Sequence, residues 1–276
     1  SDADGGNEDT AQAISITFAA LADNGVDNTD VAIEIDASVI TDDNDAVTVV
    51  ASGITDEDYS FTITTGAGAD DVTGSGSVDT INTGAEADTI EANDGDDVID
   101  AGAGDDTIAG GAGADTITGG SGDDTFLIND VAHSTTADTD VITDFSTGND
   151  ELRTTITLDA GNFDFTNKGS AASVFAGQVL LSGVAGQSFF NTATDQLIAD
   201  SDGNGLIQST DFAVTLTGVT AIAASDISFD VTTVAGNASD ITTSGGADTF
   251  VVLNAADEVD AGAGSDKISI GNLDLN

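Results

Sequence analysis

Seven aspartates recur at a strict nine-residue interval, and each is followed two residues later by a large apolar residue. The aspartates are Asp70, Asp79, Asp88, Asp97, Asp106, Asp115 and Asp124. The apolar partners are Val72, Ile81, Ile90, Ile99, Ile108, Ile117 and Phe126. Carboxylates are hard oxygen ligands, so the chemistry available to such a series is the binding of cations. One carboxylate and one apolar side chain per unit predict a coil of short strands that binds metal ions along its loops.

The elements that position these carboxylates are short strands and tight turns. Six residues of each unit suit a turn and three suit a strand, so neighbouring coils should lie ~4.8 Å apart. Carboxylates at that separation repel by about 0.9 kcal/mol per pair in a water-like dielectric, and a divalent cation between them reverses the sign. Calcium accepts six to eight oxygens in irregular geometry. The absence of Cys and the single imidazole, His133, argue against zinc, copper or iron.

Glycines mark the loops of each unit, where the backbone must turn and its carbonyls must face an ion without an intervening Cβ. Residues 110–118 and 119–127 fit the pattern G-G-x-G-x-D-x-U-x, where U is a large apolar residue. The predicted loop ligands besides the aspartates are Gly102, Gly104, Gly111, Gly113, Gly120 and Gly122. Ser75, Ser77, Glu86 and Asn93 replace glycines in earlier loops. Those earlier turns are expected to bind weakly or to cap the coil; a metal-free glycine-rich solenoid is the alternative.

This nonapeptide resembles the RTX, or haemolysin-type, calcium-binding repeat family. The resemblance implies a parallel β-roll in which two nonapeptides make one turn. Asp70, Asp88, Asp106 and Asp124 would then stack on one side of the roll, and Asp79, Asp97 and Asp115 on the other.

The charge balance agrees with bound cations. Against 51 acidic residues the chain has three basic ones, for a net charge of -48 at pH 7. Nucleic acid and anionic membranes are therefore excluded as partners, because a polyanion would meet almost no positive charge. A halophile-like acidic surface is the alternative explanation, although the acids fall in register with glycines. Apolar residues make up 39% of the chain, enough to supply a core.

The pattern along the chain predicts five regions in an all-β protein. Residues 1–65 alternate polar and apolar side chains and predict an antiparallel, sandwich-like β domain. Residues 66–128 form the β-roll, and 129–160 are similar to the segment that closes RTX rolls, with Phe145 and Leu152 as its plug. Residues 161–238 form a second β-rich flank, and 239–276 a partial second β-roll. The fold prediction is thus a calcium-bound parallel β-roll with β-sandwich-like flanks and a second, partial roll.

Two further groups of residues are predicted to bind calcium. Asp200, Asp202, Asn204, Leu206 and Asp211 match an EF-hand-type loop, although position 12 is Asp rather than Glu; an Asx-Gly turn is the alternative. Asp248, Asp257, Gly262, Gly264 and Asp266 resume the nonapeptide near the end of the sequence. Such a short roll buries little by itself, so we expect a longer parent chain or stacking on another subunit.

The functions considered are both non-enzymatic. No HExxH motif is present and His133 is isolated, so we expect no catalysis. The first function is a secreted, calcium-built structural protein of the bacterial cell surface, such as a surface-layer, filament or matrix component. It would self-associate into a homopolymer or lattice, with a cell-surface glycan as a further partner and no membrane insertion. The second is the calcium-dependent folding and secretion region of a larger RTX toxin, protease or adhesin.

Overall fold

A computed structural model describes residues 13–18, 31–41, 45–55, 59–128, 130, 132–154, 188–191, 194–199, 208–220, 222, 226–229, 240–242, 249–252, 258–260 and 267–270. These residues form strands and turns, with no α-helix among them. The strands up to residue 128 are β1 (Ala13–Thr17), β2 (Val31–Asp36), β3 (Ala46–Val50), β4 (Tyr59–Thr64), β5 (Asp71–Thr73), β6 (Thr80–Ala85), β7 (Thr89–Asp94), β8 (Val98–Ala103), β9 (Thr107–Ala112), β10 (Thr116–Ser121) and β11 (Thr125–Ile128). They are followed by β12 (Asp140–Ile142), β13 (Glu151–Thr154), β14 (Ser188–Asn191), β15 (Gln196–Ala199), β16 (Phe212–Leu216), β17 (Ile227–Phe229), β18 (Asp240–Thr242), β19 (Thr249–Val252), β20 (Glu258–Asp260) and β21 (Lys267–Ile270).

Two parallel sheets share the strands of the roll alternately. One sheet has the order β1-β3-β5-β7-β9-β11-β13-β17, and the other runs β14-β15-β16-β12-β10-β8-β6-β4-β2. Within residues 71–127 each strand pairs with the strand 18 residues later, as Ile81 with Ile99 and Ile90 with Ile108. Two nonapeptides therefore make one turn. This confirms the predicted parallel β-roll.

The core of the roll is two stacks of apolar residues, formed by the residues that end the D-x-U pattern and extended at both ends by further apolar residues. In one sheet the stack is Val49, Val72, Ile90, Ile108, Phe126, Leu152 and Ile227. In the other it is Ile63, Ile81, Ile99, Ile117, Ile142 and Leu216. All of these side chains are buried. Burial of each of these side chains contributes roughly 1.5–3 kcal/mol to the free energy of folding. The two stacks therefore stabilise the roll independently of any bound ion.

The strands before residue 65 belong to the same two sheets. β1 pairs with β3 and β2 with β4, both in parallel, and β3 and β4 continue onto β5 and β6. The prediction of an antiparallel arrangement here is wrong. Alternation of polar and apolar residues indicates that one face of a strand is buried. It does not indicate whether the neighbouring strand runs parallel or antiparallel.

The strands after residue 128 also extend the roll. β12 and β13 lie beside β10 and β11, and β16 and β17 add one more strand to each sheet. Leu152 thus occupies the next position of the core stack and does not act as a terminal plug. Phe145 is buried, with its ring 5.8 Å from that of Phe126. Antiparallel pairing is found at β14-β15-β16.

Two pairs of strands lie near the end of the sequence. β18 pairs with β20 and β19 with β21, both in parallel and both offset by 18 residues, as Asp240 with Glu258. This is the pairing expected of a second partial roll. Among the described residues, no helix has the length and apolar character needed to cross a bilayer.

Candidate calcium site

The ladder aspartates form two stacked columns, in the arrangement that the resemblance implies. In each, Oδ1 accepts a hydrogen bond from the backbone N–H of the ladder residue one turn earlier. In the first column Asp88 accepts from Asp70, Asp106 from Asp88 and Asp124 from Asp106, at 2.8–3.0 Å. In the second column Asp97 accepts from Asp79 and Asp115 from Asp97, at 2.7 and 2.9 Å. One oxygen of each carboxylate is thus committed to holding the turns together.

The second oxygen of most of these carboxylates has no hydrogen-bond partner. Such unpartnered, buried Oδ2 atoms belong to Asp70, Asp88, Asp97, Asp106 and Asp115. These side chains are 0–2% exposed. A buried acceptor without a donor costs about 1–3 kcal/mol, and more when it is charged. A row of unpaired anionic oxygens inside loops is what a series of cation sites requires, so the residues fit calcium.

The predicted loop glycines adopt the left-handed conformation. φ is positive at Gly102, Gly104, Gly111, Gly113, Gly120 and Gly122, between 104° and 150°. A Cβ added at Gly111 would lie 1.6 Å from the carbonyl oxygen of Asn93, and one at Gly113 would lie 2.0 Å from that of Gly95. The loops of successive turns therefore stack with backbone carbonyls against glycine. Calcium accepts carbonyl as well as carboxylate oxygens, so both belong to the donor set available in these loops.

Burial raises the pKa of the ladder carboxyl groups from Asp79 to Asp124. Desolvation is the largest cause in every case, and repulsion from neighbouring carboxylates adds to it for Asp88, Asp97, Asp106, Asp115 and Asp124. The pKa rises from 3.8 to about 8 for Asp97, about 7 for Asp88 and about 6 for Asp115 and Asp124. The pKa values of Asp79 and Asp106 are raised as well. Without a cation, the folded ladder would take up protons near neutral pH.

Asp140 and Asp150 continue the two columns, and the sequence reasoning did not identify them as site residues. Oδ1 of Asp140 accepts the N–H of Asp115 at 3.0 Å, and Oδ1 of Asp150 accepts that of Asp124 at 3.1 Å. Burial raises the pKa of Asp140 to about 8. Their spacings of 25 and 26 residues break the nine-residue period. The available signal was the same D-x-U pattern, in 140–142 and 150–152.

Each column begins next to an apolar residue. In the first column, Val47 occupies the position one turn before Asp70, and the N–H of Val47 donates to Oδ1 of Asp70 at 2.7 Å. Phe61 precedes Asp79 in the same way, at 2.9 Å. At the other end of the second column Val214 pairs with Asp140. The first strands of both sheets therefore lie outside the carboxylate columns.

The other predicted ligands are only partly described. Asp211 is buried, and its Oδ2 accepts the N–H of Gln208 at 2.6 Å, which closes a turn. Asp200, Asp202, Asn204, Leu206, Asp248, Asp257, Gly262, Gly264 and Asp266 lie outside the described residues. Within the described part of the chain, no three His, Cys, Asp or Glu side chains converge as a metal-binding group. A calcium site in the roll must therefore combine carboxylates with backbone carbonyls.

A parallel β-roll of stacked nonapeptides, with glycine loops and buried carboxylate columns, defines a repetitive cation-binding scaffold. The RTX calcium-binding nonapeptide repeat matches in four copies, at residues 62–90, 73–108, 91–126 and 241–272. These segments of the chain are similar to RTX calcium-binding nonapeptide repeats.

Two other comparisons accompany this assignment. A solved structure that matches is that of the AlgE6R3 subunit from the Azotobacter vinelandii mannuronan C5-epimerase, at 24% identity and a TM-score of 0.35, covering 55% of this chain and 77% of that one. No curated protein matches the chain.

Proposed function

We propose that this protein is a secreted structural protein whose β-roll folds on binding extracellular calcium. The observation that carries the proposal is the row of buried, unpartnered Oδ2 atoms along both columns. RTX repeat proteins are typically extracellular, where calcium is abundant. Extracellular calcium modules have dissociation constants of ~0.1–1 mM, which suits sites built from one carboxylate per loop.

Folding is coupled to calcium through the charges of the chain itself. At -48 net charge the chain repels itself, and the columns concentrate that repulsion at the loops. Bound calcium supplies positive charge to the unpaired Oδ2 atoms. A ligand that binds only the folded state stabilises it by mass action, so the free energy of folding becomes more favourable as calcium rises. The chain would remain largely unfolded at the submicromolar calcium of the cytosol and fold outside the cell.

Circular dichroism of the full chain tests this coupling. We expect a weak β signal in calcium-stripped buffer and a strong one at ~2 mM calcium, with reversal on adding chelator. An identical β signal in both buffers would contradict the proposal. Magnesium at the same concentration serves as the control, because its small octahedral shell suits these irregular loops poorly.

The structural role predicts self-association in the folded state. The roll places eight strands in one sheet and nine in the other, an extended shape suited to stacking. Electron microscopy and light scattering of the calcium-loaded protein are expected to show ordered arrays or filaments. A calcium-loaded monomer would instead favour the second candidate, a calcium-dependent folding and secretion region of a larger toxin, protease or adhesin. Adding isolated cell-surface glycan to the same assay tests the further partner.

A further inference from the structure

One loop of the ladder differs from the other six in its backbone. Residues 74–79, here called the serine loop, have Ser75 and Ser77 at the second and fourth positions of the unit. The fourth position is left-handed in every other unit from 65 to 127, namely at Gly68, Glu86, Gly95, Gly104, Gly113 and Gly122. Neither Ser75 nor Ser77 has a positive φ. The serine loop therefore does not present the carbonyl arrangement of its neighbours.

The carboxylate of the serine loop is already saturated with donors. The N–H of Ser75 donates to Oδ2 of Asp79 at 2.7 Å, and the Ser75 hydroxyl lies 2.9 and 3.0 Å from the two carboxylate oxygens. The N–H of Phe61 occupies Oδ1 as well, at 2.9 Å. Asp79 is 1% exposed, as deeply buried as Asp97 and Asp115, whose Oδ2 atoms have no partner. Its charge is stabilised by neutral donors, as in other buried carboxylates that bind no metal.

Two backbone carbonyl groups in or next to the serine loop are also occupied by side-chain donors. The loop that stacks on the serine loop, 92–97, has Asn93 where its neighbours have glycine. The Nδ2 of Asn93 donates to the carbonyl oxygen of Gly74 at 2.8 Å. On the other side of the serine loop, the Ser77 hydroxyl donates to the carbonyl oxygen of Tyr59. A cation needs free acceptors, and here three side-chain donors point at acceptors instead.

From these contacts we infer that the serine loop itself binds no calcium. The next residue of this column is Phe61, which has no carboxylate. This end of the column is thus a calcium-independent base on which the calcium-dependent turns stack. The inference rests on the proposed calcium role of the other loops, and it assigns Asp79 a structural part in place of a predicted ligand role.

Calcium stoichiometry of the full chain, measured by isothermal titration calorimetry, tests the inference. Asp79→Asn is expected to bind as many calcium ions as the natural sequence. The matched variant Asp115→Asn, at the same position of a glycine loop, is expected to lose at least one. Equal losses in the two variants would overturn the inference while leaving the calcium role intact. No loss in either variant would refute the proposed calcium role itself.

A gain-of-site variant covers the case in which Asp79→Asn fails to fold. The triple change Ser75→Gly, Ser77→Gly and Asn93→Gly removes the three side-chain donors and restores the glycine loop. We expect it to bind one more calcium ion than the natural sequence, and to require more calcium for half-maximal folding. An unchanged number of ions would overturn the inference.

Discussion

Replacing Asp97 with asparagine should have opposite effects with and without calcium. Asp97 is 1% exposed; its Oδ1 accepts the N–H of Asp79 at 2.7 Å and its Oδ2 is unpartnered. Asparagine keeps an oxygen for that N–H and places a neutral amide where the unpaired anionic oxygen lies. In the absence of calcium the change removes a buried charge. In its presence the change removes a ligand.

The magnitude follows from the pKa of Asp97. A rise from 3.8 to about 8 corresponds to on the order of 5 kcal/mol of unfavourable free energy for the ionised, metal-free fold, at 1.36 kcal/mol per unit. The buried amide nitrogen of asparagine costs about 1–3 kcal/mol if it finds no acceptor. Asp97→Asn should therefore stabilise the metal-free fold by roughly 2–4 kcal/mol. With calcium it should weaken binding about tenfold or more, or about 1.4 kcal/mol per affected site.

Two titrations of the same variant separate these effects. In calcium-stripped buffer at pH 7.5, an osmolyte series monitored by circular dichroism should fold Asp97→Asn at lower osmolyte concentration than the natural sequence. In a calcium series, the variant should need more calcium for half-maximal folding. Asp100→Asn changes an exposed carboxylate in β8, the strand that directly follows Asp97; it is the control and should change neither midpoint appreciably. If Asp97→Asn destabilises the fold in calcium-stripped buffer as well, the unpaired oxygen does not destabilise the metal-free fold and the reasoning is refuted. If the variant needs no more calcium than the natural sequence, that oxygen is not a calcium ligand.

Three further predictions concern pH and backbone geometry. In calcium-stripped buffer the pKa values raised from 3.8 to about 6 to 8 mean that stabilisation is full below pH 3.8 and is lost progressively as pH rises to about 8. The β signal should fall over this range, and a signal that rises would contradict the assignment. Gly111→Ala should lower the free energy of unfolding by at least about 2 kcal/mol more than Gly218→Ala. Both glycines have positive φ, but an added Cβ meets the carbonyl oxygen of Asn93 at Gly111 and no atom within 4 Å at Gly218. Equal urea midpoints would exclude the tight stacking of loops. Glu86→Gly removes a left-handed non-glycine residue at φ 70°, so in calcium it should raise the free energy of unfolding by about 1 kcal/mol and with it the urea midpoint. A lower midpoint would show that the Glu86 carboxylate takes part in binding.

The ladder itself could be predicted from the sequence because a nine-residue period has a direct physical meaning. A fixed interval between one carboxylate and one apolar residue requires stacked turns, and the structure places Asp88 and Asp106 as that period indicates. Glu86 and Asn93 could also be identified as departures, and both adopt the left-handed conformation of the glycines they replace.

What the sequence could not provide depends on neighbours distant along the chain. Asp140 and Asp150 lie 25 and 26 residues after their partners, so no period marks them. The parallel direction of β1 to β4 is decided by the sheets that they join. The role of Ser75 depends on a backbone conformation that turns both its N–H and its hydroxyl onto Asp79. In sequence it reads only as a missing glycine.

The central claim is that the unpartnered ladder oxygens bind calcium. Anomalous diffraction from crystals of the full chain grown in calcium tests it most directly. The account predicts calcium peaks ~2.3–2.6 Å from the Oδ2 atoms of Asp88, Asp97, Asp106 and Asp115, and none at Asp79. Calcium-loaded crystals with no anomalous peak beside these oxygens would contradict it.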